Sequence, residues 1–195
     1  YPGAAFNWML YTAVVKDGKQ VAVMPTETRP YGQGMRLTAS QAHEIGAPVT
    51  VINDNMPGFC FSRGMITVYV TAADRIAMDG SIANKVGTYQ NAVLARRHGV
   101  PFYVLGYDGP DQNTAIGADI PIEERNGDEV LMMNGVRMAP EGVRGYYPAF
   151  DITPPELISS IVTDRGIYRP AMITRYHDEV SDVPLDVIPL LGTTL

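Results

Sequence analysis

Apolar runs and helix-like segments alternate along the first half of the chain. The runs rich in apolar and β-branched residues are QVAVMPT (20–26), PVTVIND (48–54), MITVYVTAAD (65–74) and PFYVLG (101–106). Between them, 36–46 and 86–98 have helical spacing, the second with Val86, Tyr89 and Val93 on one face, and each is closed by a glycine. Because the runs are almost continuously apolar, both faces of each strand are expected to be covered. The pattern predicts an α/β fold with a parallel sheet and right-handed crossovers.

The second half of the chain has a looser pattern. Its expected elements are a loop at 106–119, a strand and turn at 128–135, a short helix at 153–160 capped by Thr153, and a last strand at 161–164. The apolar tail at 183–195 contains two prolines and is expected to pack on this domain or on a partner subunit.

Length and composition narrow the class of protein. A chain of 195 residues with 46% hydrophobic and 18% charged residues suffices for one domain with a sizeable core. The net charge of −6 argues against a nucleic-acid binder, which usually carries a basic patch. The single cysteine, Cys60, excludes an intrachain disulfide and a Cys-rich metal site and favours a reducing, cytoplasmic setting. The chain begins at Tyr1 with a stretch typical of a domain interior, so further sequence is expected upstream.

Polar clusters follow three of the predicted strands. They are TETRPYGQG (26–34), NDNMPG (53–58) and AADRIAMDGSIANK (72–85). In an open parallel sheet, ligands bind outside the carboxyl ends of the strands. The three loops are therefore expected to converge on one site.

Two groups in the third cluster have both a chemical and a structural interpretation. Asp74 ends an apolar strand, where partial burial raises a carboxyl pKa toward general acid–base use; alternatively it pairs with an arginine or caps a turn. Asn84 and Lys85 stand at the expected start of the 86–98 helix. There they are expected either to bind a phosphate together, or to serve as an Asn84 N-cap with Lys85 simply solvated beside it. Only three of the fifteen cations are lysines, so Lys85 is distinctive.

The other two clusters carry weaker signals. Gln33, between Gly32 and Gly34, is placed to hold a hydroxyl or a phosphate, although the segment lacks any phosphate-loop or dinucleotide fingerprint and also fits a plain turn. Asp54 is either a second polar group of the pocket or part of an Asx-turn.

The remaining polar residues favour structural interpretations. His43, His98 and His177 are far apart in sequence, which argues against a metal site. Glu123, Glu124 and Arg125 are expected to form a solvated, mutually paired surface, and Cys60 an inert thiol in the core. No metal or nucleotide cofactor is expected.

Taken together, the motifs resemble the C-terminal domain of methylthioribose-1-phosphate isomerases over about residues 15–170. The segments that carry the resemblance are ETRPYGQGMRLTA (27–39), VINDNMPG (51–58), the stretch 72–104, IPIEER (120–125), APEGV (139–143) and PAFDITPPELISSIVTDRG (148–166). That superfamily includes ribose-1,5-bisphosphate isomerase and the regulatory subunits of translation initiation factor two-B.

The resemblance implies a Rossmann-like, mainly parallel sheet with helices on both faces, preceded by a mostly helical N-terminal domain, and a homodimer. It implies an aldose–ketose isomerase acting on a phosphorylated pentose, with a catalytic cysteine and aspartate. By the matching motifs the aspartate falls on Asp74, a phosphate-contacting glutamine on Gln33, and an Asn-Lys pair on Asn84 and Lys85.

Two departures from the family bear on completeness and substrate. The family's cysteine and its N-terminal arginines belong upstream of Tyr1, and Cys60 does not replace that cysteine. The segment GYDGPD (106–111) replaces a Pro-Thr-Ser-Thr-like stretch, so another 5-substituted pentose 1-phosphate is an open alternative. A non-catalytic, ligand-sensing regulatory subunit and an isomerase for a different phosphorylated pentose are the rival interpretations.

Overall fold

The computed structural model describes residues 4–178. In this part of the chain the α-helices are Ala5–Tyr11 (α1), Ser40–Glu44 (α2), Pro57–Ser62 (α3), Thr88–Arg97 (α4) and Asp128–Leu131 (α5). The strands are Tyr69–Ala72 (β1), Arg75–Ile76 (β2), Ile82–Lys85 (β3), Phe102–Leu105 (β4), Met132–Met133 (β5), Val136–Arg137 (β6), Phe150–Thr153 (β7), Ser160–Thr163 (β8) and Gly166–Tyr168 (β9). Segments Thr12–Lys16 and Gly34–Ala39 are π-helical, and Gly117–Asp119, Pro155–Leu157 and Pro170–His177 are 3₁₀-helical.

The larger sheet has the strand order β1-β4-β8-β9. β1 pairs with β4, and β4 with β8, in parallel, whereas β9 runs antiparallel to β8. The tight hairpin between β8 and β9 forces that last antiparallel pairing. The α/β class predicted from the sequence is confirmed, with a mixed sheet.

The central strands of this sheet are covered on both faces. Successive side chains of a strand point to opposite faces, yet Val104 and Leu105 in β4 are both buried, as are Ser160 and Ile161 in β8. Helix α4 packs against β1 and β4, and the 3₁₀ helix Pro170–His177 packs against β8 and β9. By contrast, Met65 and Val68, which precede β1, are exposed.

A second sheet forms from β2, β3 and β7, all antiparallel. It makes the segment 75–85 a β-hairpin around an Asp79–Gly80 turn. The sequence analysis places Asn84 and Lys85 at a helix start, and that placement is wrong. Both residues end β3, because the long-range ladder with β7, which pairs Asn84 with Asp151, holds them extended.

Helix α4 begins two residues later than predicted and buries a different face. Gly87 has a φ of 102°, which an α-helix does not accept. The helix turns Ala92 and Ala95 to the core and leaves Tyr89 and Val93 exposed. The predicted Val86–Tyr89–Val93 face is therefore not the buried one.

Two of the predicted strands are reduced to single bridges. Segments 20–26 and 48–54 meet only through the parallel bridges Val23–Val49 and Thr26–Ile52. They close a separate small core with Leu10, Ala42 and Ala47. Single bridges are enough to hold these two segments together, because residues of the neighbouring helices, rather than a continuous ladder of paired strands, form most of the buried core.

Other predictions changed in detail. Segment 128–135 contains the predicted strand and turn at 132–135, preceded by the unpredicted helix α5. Thr153 lies in β7 rather than capping a helix, and 161–164 largely coincides with β8. The tail at 183–195 lies outside the described residues. None of the described helices is long and apolar enough to cross a membrane.

Candidate functional site

Asp74 follows the carboxyl end of β1 and enters the hairpin. Its backbone N–H donates to the Ala83 carbonyl oxygen at 2.9 Å, which fixes the residue beside the end of β3. The next residue, Arg75, turns its guanidinium to Asp111 at 3.7 Å rather than to Asp74. The structural alternative, in which Asp74 pairs with Arg75, is therefore not what the structure shows.

The carboxyl group of Asp74 has a raised pKa. The residue is exposed as a whole, but its carboxyl group is crowded by protein, and this desolvation raises the pKa above the ordinary aspartate value. The nearby positive charge of Lys85 opposes the effect without cancelling it. A carboxyl group poised in this way is suited to proton transfer.

Asn84 contacts Asp74 directly. With its amide nitrogen turned toward Asp74, it donates to Asp74 Oδ2 at 3.0 Å and to the Ala72 carbonyl oxygen at 3.2 Å. Its oxygen then accepts from the Thr71 hydroxyl at 2.6 Å and from the Thr88 hydroxyl at 2.9 Å. The opposite amide orientation would set its oxygen against two acceptors, so the hydrogen-bonding pattern assigns this one.

Lys85 lies over aromatic rings. Its Nζ is 4.8 Å from the ring centre of Phe150, its cross-strand partner, and 5.7 Å from that of Tyr147. Within residues 4–178 it makes no ion pair within 4.0 Å. A half-buried ammonium group without a carboxylate partner is suited to an anionic ligand.

The amino end of α4 is already occupied. Asp151 accepts from the backbone N–H of Gly87 at 2.6 Å and of Tyr89 at 3.1 Å. Burial raises the pKa of Asp151, and these two hydrogen bonds partly offset the rise. A protein carboxylate thus takes two of the amides that a phosphate at this helix terminus would use, and a phosphate role of Asn84 and Lys85 stays a prediction.

Asp54 joins the first two polar loops. Its carboxylate accepts from the backbone N–H of Thr28 at 2.8 Å and of Arg29 at 2.7 Å, and Asn53 donates to Glu27 at 2.8 Å. Asp54 is thus neither an Asx-turn residue nor a free pocket group. It holds the loop that carries Gln33.

Gln33 has an unpaired group. Its Oε1 is buried and accepts no hydrogen bond from the part of the chain that the structure describes. A buried acceptor without a donor is costly, which favours a bound partner such as a sugar hydroxyl. No direct contact joins Gln33 to Asp74 or Asn84 among the described residues.

A small cavity lies beside the first polar loop. Its volume is about 210 Å³, and its lining includes Arg29 and Pro30 from the first loop, Val86 just after Lys85, and Tyr147 below the Lys85 ammonium. Asp54 ties the second loop to the first. The convergence of the third loop with these two stays a prediction.

A larger cleft of about 640 Å³ adjoins the same loop and includes Arg29, Arg36 and Arg137 in its lining. None of the predicted site residues lines either this cleft or the smaller cavity. Arg29 donates to the Val130 and Met132 carbonyl oxygens, and Arg137 pairs with Asp128 at 3.2 Å. Its charges are largely committed to the protein, whereas the smaller cavity includes Tyr147, the ring that lies 5.7 Å from the Lys85 ammonium.

The remaining candidates have structural contacts. His98 stacks on Phe61, and His177 lies 2.9 Å from the Pro110 carbonyl oxygen. Cys60 is buried in α3, as predicted. Glu123 pairs with Arg125 at 3.3 Å, also as predicted. Among residues 4–178, no group of three or more His, Cys, Asp or Glu side chains is arranged to hold a metal ion.

Sequence reasoning missed Asp151, Thr71 and Thr88. Asp151 is 64 residues from Gly87, so no local pattern links the two. Thr71 lies inside an apolar run, where a lone threonine is common. Only the pairing of β3 with β7 and the packing of α4 bring these residues to the site.

The chain belongs to the initiation factor 2 subunit family, whose model matches residues 4–170. Curated relatives named methylthioribose-1-phosphate isomerase include one from Anaeromyxobacter sp. (strain K), 52% identical over 80% of this chain and 47% of the relative. Another, from Chloroflexus aurantiacus, is 53% identical over 79% of this chain and 45% of the relative. The chain therefore spans about half the length of the curated relatives it matches.

Two solved structures have the same fold over most of the chain. A 5-methylthioribose 1-phosphate isomerase from Pyrococcus horikoshii OT3 aligns with a TM-score of 0.79 at 42% identity, over 85% of this chain and 46% of that one. The delta subunit of translation initiation factor eIF-2B from A. fulgidus aligns with a TM-score of 0.76 at 38% identity, over 81% of this chain and 46% of that one.

Proposed function

We propose that this chain carries the Asp74 half of an aldose–ketose isomerase that converts a 5-substituted ribose 1-phosphate, with methylthioribose 1-phosphate the first candidate, into the ribulose 1-phosphate. The observation that carries the proposal is the desolvated Asp74 carboxyl group beside Asn84 and Lys85. The names of the relatives at 52% and 53% identity support the same reaction.

The chemistry requires an acid–base pair. In an aldose 1-phosphate the anomeric oxygen is phosphorylated, so ring opening needs a proton at the ring oxygen as its bond to C1 breaks. Transfer of hydrogen from C2 to C1, with loss of the C2 hydroxyl proton, then gives the ketose. Asp74 serves the proton at C2 or at the ring oxygen, because its raised pKa suits both giving and taking a proton.

Lys85 and Gln33 are proposed to hold the substrate. The Lys85 ammonium attracts the phosphate. The Gln33 side chain either donates to the phosphate through its NH2 group or accepts from a sugar hydroxyl at its unpaired Oε1. Asn84 belongs to the site through its contact with Asp74. Fixing the phosphate holds C1 and C2 against the carboxylate, which is how positioning lowers a barrier.

The rest of the machinery is proposed to lie outside residues 1–195. A cysteine upstream would serve the second proton step, and an N-terminal helical domain would add arginines for the phosphate. Cys60 is no substitute, since it is buried in α3. We further propose a Rossmann-like domain and a cytoplasmic homodimer; exposed Phe59, Tyr89 and Val93 on α3 and α4 supply apolar surface for an interface.

The rival candidate is a non-catalytic regulatory subunit that binds a phosphorylated ligand. The similarity to an eIF-2B delta subunit favours it. Against it stands the Asp74 carboxyl group, whose desolvation costs stability and has no use in a scaffold. An isomerase for another phosphorylated pentose, such as ribose 1,5-bisphosphate, would use the same residues.

The test is an isomerase assay of the full-length protein with methylthioribose 1-phosphate and, in parallel, ribose 1,5-bisphosphate. We expect ketose formation from the first and KM raised about tenfold or more in Lys85→Ala, with kcat less affected, because a lost charge-assisted phosphate contact costs about 1.5–3 kcal/mol. Lys19→Ala is the control, since Lys19 is exposed and pairs only with Asp17 in the described structure. Binding of the sugar phosphate without turnover would support the regulatory subunit instead.

A further inference from the structure

The hydrogen-bonding capacity of the Asn84 side chain is fully used by the protein. A side-chain amide offers two N–H donors and two acceptor lone pairs. In Asn84 the donors go to Asp74 Oδ2 and the Ala72 carbonyl oxygen, and the acceptor sites face the Thr71 and Thr88 hydroxyls. The Thr88 hydroxyl also lies 2.7 Å from the Lys85 carbonyl oxygen, so its proton is shared. No donor of Asn84 remains for a phosphate.

Strand geometry separates Asn84 from Lys85. Both lie in β3, where successive side chains point to opposite faces of the strand. Asn84 contacts β1 and the first turn of α4, whereas the Lys85 ammonium lies over Phe150 and Tyr147. Adjacent in sequence, the two side chains have different surroundings.

We propose that Asn84 is a positioning residue that holds the Asp74 carboxylate for proton transfer, and that it is not a phosphate ligand. The proposal rests on the proposed function and narrows it, leaving Lys85 and Gln33 to bind the phosphate. Thr71 and Thr88 act one step further away, since their hydroxyls fix the amide that faces Asp74.

The donated hydrogen bond stabilises the ionised form of Asp74, so its loss raises the Asp74 pKa. The charged and titratable groups around Asp74 are few. Lys85 in β3 lowers its pKa, and Arg75 is engaged by Asp111. In β7, Asp151 faces the amides of Gly87 and Tyr89. In β1, burial raises the pKa of Tyr69, which keeps that residue neutral.

The experiment compares Asn84→Ala and Thr71→Val with the wild type in the full-length protein. Thr71→Val keeps the side-chain shape and removes only the hydroxyl that contacts the Asn84 amide, so it still tests the proposal if Asn84→Ala fails to fold. Gln112→Ala, an exposed amide in the loop after β4, is the control. The Asp74 carboxyl group is titrated by ¹³C NMR without substrate, with Asp74→Asn identifying its signal.

Three results are expected. In Asn84→Ala the Asp74 titration and the acid limb of the kcat/KM profile move up by about one pH unit, because a charge-assisted hydrogen bond is lost. kcat falls by about 10–100-fold, while KM and the inhibition constant of inorganic phosphate stay within about threefold. Thr71→Val moves the titration in the same direction by less, and Gln112→Ala does not move it.

An unmoved Asp74 titration in Asn84→Ala overturns the proposal, as does a large rise in KM and in the inorganic phosphate constant. The NMR titration needs no turnover. If the protein shows no isomerase activity, the proposed function fails while the contact between Asn84 and Asp74 is still measured on its own.

Discussion

Gly34 places the Gln33 loop by having no side chain. A Cβ at this position would collide with the Thr26 carbonyl oxygen and would lie 2.8 Å from the Thr28 hydroxyl. The same loop is held from the other side by Asp54 through the amides of Thr28 and Arg29. Gly34 and Asp54 thus fix the loop that carries Gln33, the residue proposed to bind the substrate.

Gly34→Ala is expected to displace this loop and to destabilise the protein by about 1–3 kcal/mol, the usual cost of overpacking a filled site. Because Gln33 is adjacent, KM for the sugar phosphate should rise more than kcat falls. Urea unfolding and steady-state kinetics measure the two effects. Gly58→Ala in α3 is the control, since its Cβ meets only Leu94 at an ordinary 3.6 Å. A Gly34→Ala variant as stable and as active as Gly58→Ala would contradict this account of the loop.

Single residues differ in how far the sequence reveals them. Asp74 could be singled out because a carboxylate directly after an apolar run is visible locally. Asp54 could be singled out but not interpreted, since its partners lie 25 and 26 residues away. Asp151, Thr71 and Thr88 carry no local signal, and their positions depend on strand pairing.

Helix α4 is capped from another element of the fold. It has no side-chain cap of its own at Gly87, and Asp151 in β7 accepts from two of its first amides instead. The cap ties α4 to the second sheet, beside the Thr88 hydroxyl that contacts Asn84. The helix terminus is therefore part of the support of the site.

Asp151→Ala is expected to lower the free energy of unfolding by about 1–2 kcal/mol, because two amides at the helix start lose their acceptor. Urea denaturation measures the loss. Asp151→Asn should lose less, since one amide oxygen still accepts. A variant Asp151→Ala with an unchanged urea midpoint would show that the cap contributes nothing.

The type of an element could be predicted where the spacing of apolar residues within a single segment was regular. The central part of helix α4 and the buried strands β4 and β8 were predicted from such segments. The hairpin β2–β3 was not, because its strands are short and take their extended form from pairing with β7. The start of α4 was misplaced because its limit is the left-handed Gly87, which spacing alone does not reveal.

At the scale of the molecule, the described core covers β4 and β8 on both faces, and Asp54 ties the loop at 53–58 to the loop at 26–34. The near-continuous apolar runs predicted the covered faces. The location of the site at the carboxyl ends of the parallel strands stays a prediction. The antiparallel second sheet was not predictable, because it joins segments more than 60 residues apart. Its presence determines which side chains face Asp74.

The desolvated Asp74 carboxyl group is expected to lower the free energy of unfolding by an amount that depends on pH. Desolvation raises the Asp74 pKa in the folded state, so the folded protein binds more protons than the unfolded chain between the two pKa values. The free energy of unfolding therefore falls as pH rises through that window, which begins near the ordinary aspartate value of about 4. Above the window the full penalty is present.

Asp74→Asn should accordingly raise the urea midpoint at pH 7.5, by an amount that shrinks as pH approaches about 4. Unfolding curves at the two pH values test this. Asp17→Asn is the control; Asp17 is exposed and paired with Lys19, and surface pairs contribute little. Equal destabilisation by Asp74→Asn at both pH values would be inconsistent with a desolvated carboxylate.

The central claim is that Asp74 performs proton transfer. Its most direct test is kcat of the full-length Asp74→Asn variant with methylthioribose 1-phosphate, beside wild type and Asp17→Asn. A loss of about 10²–10⁴-fold is predicted, with an unchanged circular dichroism spectrum and KM, because Asn keeps the shape and the contact with Asn84 but transfers no proton. Turnover within about threefold of wild type would contradict the claim.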